Sequence, residues 1–202
     1  MKPDSPMRKF DPCRLAHYEK ENYMAYYQKD WPKLLRVSIQ MIREAFGFSL
    51  LQAIYAASLV AFAEIAFAPF PNNNVPLAEA YMRRFYAFLK QTHGEDFDEQ
   101  RAAKLEVGWW IIHRRLFADP ENGELVQALT LLYAEAYGVA PDLVRPAAVL
   151  RAQGMLYSDL WVNAGKVADS PLLAQEEEAL VQSYVLLKQV ISLVPNPLIT
   201  IS

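Results

Sequence analysis

Glycine, cysteine and histidine are scarce in this chain of 202 residues, which holds seven, one and three of them respectively. The single cysteine, Cys13, excludes an internal disulfide and fits a reducing compartment, so a cytoplasmic protein is expected. His17, His93 and His113 are too few for a histidine-rich metal centre. Neither Glu-x-x-His nor His-Glu-x-x-His occurs, so the spacings of helical di-iron and zinc sites are missing and no metal site is expected. The few glycines make no phosphate-cradling loop and no Gly-x-Ser-x-Gly elbow. No period-two run of β-branched residues is long enough for a sheet. An excess of basic charge is lacking too. Lys and Arg number 20 against 23 Asp and Glu, for a net charge of −3 with both signs dispersed, which excludes nucleic acid as the main partner. The opening residues MKPDSPMRKFDP have no apolar stretch of the kind a secretory leader needs.

Apolar and helix-forming residues are plentiful. The chain is 53% hydrophobic and 12% aromatic, enough for a large core. Ala, Leu, Glu, Arg, Lys and Gln dominate, and helix is indicated nearly throughout. Asp11-Pro12, Asp119-Pro120 and Ser170-Pro171 each set a capping side chain before a proline suited to the first helical position. Ser49 with Gln52 has the form of a capping box, and Asp30, Asn74 and Asp98 are further caps. Gly47, Gly94, Gly138 and Gly165 stand where helices should end. These signals predict an all-α fold: a compact orthogonal or up-down bundle of about eight helices in one domain spanning 1–202, with tails at 1–10 and 193–202. The helices are expected near 12–28, 31–46, 50–67, 75–92, 99–117, 120–137, 141–165 and 171–192. Pro146 should break or kink the seventh after its first turn.

Two segments stand out. The run 50–70 is almost wholly apolar and about long enough to span a bilayer, but it carries Gln52, Ser58 and Glu64. A helix apolar all round is more often the centre of a globular bundle, so no membrane span is expected. The segment 101–117, RAAKLEVGWWIIHRRLF, places Glu106, Trp109, Trp110, His113 and Phe117 on one helical face. A buried carboxylate and imidazole need partners. Glu106 and His113 lie roughly 10 Å apart along the axis, too far for a direct hydrogen bond.

If the two segments form an inner pair, they bring Glu64 near Glu106 and His113, the three candidate catalytic residues. Glu64 is then either an acid or base of raised pKa or the partner of Arg83, Arg84, Arg114 or Arg151. Trp109, Trp110, Asp159 and Asn163 are candidate ligand-binding residues, the last two as i,i+4 neighbours on one face. His113 is also placed as a candidate haem ligand among Trp109, Trp110 and Phe117, although a lone histidine on an aromatic face is more often a core residue. Tyr18, Tyr23, Tyr26, Tyr27 and Trp31 give the N-terminal region an aromatic surface suited to an interface.

The reading that follows is a helical binding or interaction protein, homodimeric, with a buried polar cluster in its core. Its expected partners are a second copy and a small apolar ligand. The alternative is an enzyme or a metal- or haem-binding bundle whose pocket is lined by Glu64, Glu106 and His113.

Overall fold

The computed structural model describes residues 4–193. The expected C-terminal tail lies outside the described residues from position 194 onward. Eight α-helices are present among the described residues: α1 Pro12–Gln28, α2 Trp31–Phe46, α3 Leu50–Phe67, α4 Val75–His93, α5 Glu99–Arg115, α6 Gly123–Tyr137, α7 Pro141–Asn163 and α8 Pro171–Leu193. The all-α bundle expected from the sequence is the fold observed.

Each helix packs on its neighbours in the chain, and α1 packs on α8, so the eight close into an up-down ring. Phe62 against Tyr81 and Tyr55 against Phe88 fix the antiparallel register of α3 and α4. Glu19 against Tyr184 and Lys20 against Glu177 do the same for α1 and α8. Residues 4–10, expected as tail, carry a short 3-10 turn, Pro6–Arg8, and bury Met7 and Phe10. Gly47 accommodates that turn: its φ is +64°, and a Cβ there would lie 2.4 Å from Pro6 Cβ.

The local signals act as written. The Asp11, Asp30, Asn74 and Asp98 side chains accept amides of their first turns, and the Ser49–Gln52 capping box is reciprocal. Three expectations are corrected. The seventh helix runs unbroken through Pro146, where the missing amide forfeits only the bond back to Asp142, next to a first turn whose amides have no helical partner anyway. The sixth starts at Gly123, because the Asp119 carboxylate accepts the Glu121 amide at 2.8 Å and forms a turn instead of a helix cap. The fifth ends at Arg115, because Asp159 of α7 takes the Ala118 amide at 3.0 Å.

The expected inner pair does not form. α4 lies between α3 and α5, which meet at their C-terminal ends, where Phe67 touches Trp110 and Arg114 Nη1 donates to the Phe67 carbonyl at 3.1 Å. α3 is also not a central helix. Only 39% of it is buried, although it is the one described helix apolar and long enough to cross a membrane. A ring has no central helix, so each helix keeps an outer face.

Candidate functional site

Inside the ring is a cavity of about 170 Å³ to which all eight helices and the N-terminal turn contribute. Its apolar wall includes Met7 from the turn, Ile42 and Phe46 from α2, Val60 from α3 and Met82 from α4. Its polar wall is Glu19, Tyr86, Glu106, Tyr133, Tyr137, Arg151 and Tyr184.

Two carboxylates organise that wall. Glu106 of α5 accepts from Tyr86 Oη at 2.7 Å, Trp109 Nε1 at 3.0 Å and Trp110 Nε1 at 3.2 Å. The aromatic face legible in the sequence is thus a cradle for its own carboxylate. Glu19 of α1 accepts from Arg151 Nε at 3.0 Å and from the Tyr184 hydroxyl. The Arg151 guanidinium lies over Trp109 and Tyr133, at 5.6 and 5.8 Å from the ring centroids, and so joins the two groups. Burial alone would lower the Arg151 pKa, but the Glu19 charge and the surrounding tyrosines and Glu106 outweigh it and hold the guanidinium protonated. Burial, followed by the Glu106 charge, drives the Tyr86 phenol well above its ordinary value.

Hydrogen-bonding capacity is left over. A carboxylate offers about four lone-pair sites. Glu106 has three protein donors and Glu19 has two. The buried Tyr133 hydroxyl has no partner of hydrogen-bonding geometry among the described residues. The two carboxylates and one guanidinium leave this wall with an excess of negative charge.

The residues singled out from the sequence divide into separate groups. Glu106 lines the cavity, and Trp109 and Trp110 bind it. His113 does not line the cavity. Its Nε2 is 3.0 Å from Asp159 Oδ2, and buried Asp159 also accepts from the Tyr23 hydroxyl and the Ala118 amide. This second cluster ties α1, α5 and α7 together, and with Nε2 so engaged His113 serves as a clamp. Asn163 is exposed at the end of α7, apart from Asp159's partners. Glu64 meets none of the four arginines considered for it: Arg151 binds Glu19, and Arg114 binds the Phe67 carbonyl. The Glu64 side chain is exposed on α3 and does not line the cavity. Desolvation by the surrounding protein, then the Glu106 charge, pushes its pKa up to about 7. Among the described residues no three His, Cys, Asp or Glu side chains group as metal ligands.

Glu19, Tyr86, Tyr133, Tyr137 and Tyr184 were not singled out by sequence reasoning. Each sits on an ordinary amphipathic helix, and only closure of the ring sets them face to face. Of the aromatic N-terminal surface, Tyr23 turns inward to Asp159, while Tyr26 and Trp31 stay exposed. No protein-family model, curated protein or solved structure matches the chain.

Proposed function

We propose that the protein binds a small amphipathic molecule inside the ring. One observation supports this above the others: a cavity of about 170 Å³ is walled on one side by hydrocarbon and on the other by carboxylates and tyrosines with spare hydrogen-bonding capacity. Glu19, with two donors, and the Tyr133 hydroxyl, with no partner among the described residues, differ in this from Asp159, which has three donors. The size suits a single ring with a short substituent, since an apolar cavity of roughly 150 Å³ accepts benzene. The negative excess and the open lone pairs of Glu19 and Glu106 favour a donor, either an alcohol or an amine, over a carboxylate.

The test is thermal unfolding with benzylamine, benzyl alcohol, toluene and benzoate as probes. The alcohol and amine raise the midpoint, by a stabilisation of about 2.7 kcal/mol at a hundredfold excess over Kd, and benzoate does not. Ala136→Leu, which places a larger side chain against the cavity, abolishes the shift, and Tyr133→Phe weakens it. A midpoint unmoved by all four probes overturns the proposal.

A further inference from the structure

The outer face of α3 is apolar along its whole length. Leu51, Ile54, Ser58, Ala61 and Ile65 follow one another at alternating steps of three and four, the spacing of a coiled-coil seam, with Tyr55 and Phe62 beside them. Leu51 is 80% and Ile65 66% exposed, and Ile54, Tyr55 and Phe62 are each exposed by two-fifths or more. Glu64, the only charged residue of the helix, is exposed and stands about 60° round from Ala61, at the edge of the stripe. A contiguous apolar patch of this kind is unusual on a monomer.

We infer that this face is the surface on which a second copy of the chain docks, across a two-fold axis passing near Ser58 and Ala61. The stripe is self-complementary about its middle. Small residues stand at the centre, where two helices would approach most closely, and large ones stand at both ends. An isologous interface requires that symmetry. The area suffices as well. The exposed side chains of this face, with Leu50 and with Leu77 of the adjoining α4, offer on the order of 100 Å² each, close to the ~800 Å² per partner of a standard interface. Its edge is polar, with Arg84 beside Tyr81, which stacks on Phe62, as expected of an apolar centre with a charged rim. A lipid surface fits less well. Interfacial helices carry Lys and Arg on their polar face, and α3 has neither. Spanning a bilayer would strip Ala53, Ala56, Leu59 and Ala63 out of the ring they help to pack. The expected homodimer is thereby assigned to α3 and not to the aromatic N-terminal surface.

Sedimentation velocity on the full chain tests this. The expected species has twice the chain mass of 23.0 kDa. Ile65→Glu and Leu51→Glu each raise the dimer dissociation constant by about 100-fold without loss of helicity in circular dichroism, because both side chains are exposed. As a second measurement, Ser58→Cys in a Cys13→Ser background forms a disulfide-linked dimer on mild oxidation, since residues near a two-fold axis meet their own copies. A wild-type chain that stays monomeric at high concentration overturns the inference. So does a dimer indifferent to both glutamates, a Ser58→Cys variant that does not cross-link, or a monomer that co-sediments with phosphatidylcholine–phosphatidylglycerol vesicles.

Discussion

Replacing Glu176 by glutamine should make the protein more stable, and only above mildly acidic pH. Glu176 lies on α8 against α7 with 1% of its surface exposed, and its Oε2 has no partner among the described residues. The helices are close there. A Cβ on Gly154 would lie 3.0 Å from Leu180 and 3.5 Å from the Glu176 carbonyl oxygen. Burial pushes the carboxyl up to about 8 from an ordinary 4.5, against the opposing influence of the Ser158 hydroxyl. The folded state therefore holds a proton that the unfolded chain releases near pH 4.5. Where the folded state binds more protons, stability falls as pH rises, so the loss begins above about 4.5 and levels off beyond 8.

At about 1.4 kcal/mol per pH unit, that window costs on the order of 5 kcal/mol. For a domain of this size the cost corresponds to roughly 10 °C in Tm. Glutamine keeps the shape and carries no titrating proton. Thermal unfolding of both proteins from pH 5 to 9 should give similar midpoints at pH 5 and a gap opening to about 10 °C by pH 8–9, with Glu176→Gln the more stable. The upward shift of Glu64 has the same sign in both proteins and cancels in the difference. Parallel midpoint curves across the range would refute the reasoning.

Arg151→Ala strands the Glu19 carboxylate in the cavity wall and should cost about 3–5 kcal/mol in urea unfolding; a loss under 1 kcal/mol would mean that the pair is solvated. Glu106→Ala leaves Tyr86, Trp109 and Trp110 without their acceptor and should cost at least ~2 kcal/mol, with a change in tryptophan fluorescence. In a double-mutant cycle, His113→Ala and Asp159→Asn should couple by about 1–2 kcal/mol; additivity would remove the clamp assigned to them. Gly47→Ala should destabilise by about 1–3 kcal/mol, because it forces a side chain to positive φ and into Pro6, and chemical denaturation measures it.

Helix ends set by neighbours three or four residues away were legible. Asp11, Asp30, Ser49 and Gly47 stop and start helices with groups in their own turn. The ends of α5 and the start of α6 were not, because Asp159 captures an amide 41 positions away and Asp119 satisfies a turn before a helix can begin. Hydropathy measured how apolar α3 is but not what covers it, and a ring leaves one side of such a helix facing outward. The face of α5 revealed Glu106 because two ionisable groups interrupt it. Glu19, Arg151 and Tyr184 come from α1, α7 and α8, and no local pattern announces that three distant polar side chains share one wall.

The closure of the ring gives folding and access a common site. Every other packed pair of neighbouring helices is joined by a short connection, so its contacts form at little cost in loop entropy. The α1–α8 seam must instead bring together residues 157 to 178 positions apart, and polar groups help to fasten it: Lys20 and His17 on Glu177, Tyr184 on Glu19, and Lys188 on the Phe10 carbonyl. No connecting loop holds this pair of helices together, so they can part without straining the backbone. By loop entropy the seam should be the last joint to close as the chain folds, and salt, which screens its more exposed ion pairs, should hasten exchange of the proposed ligand.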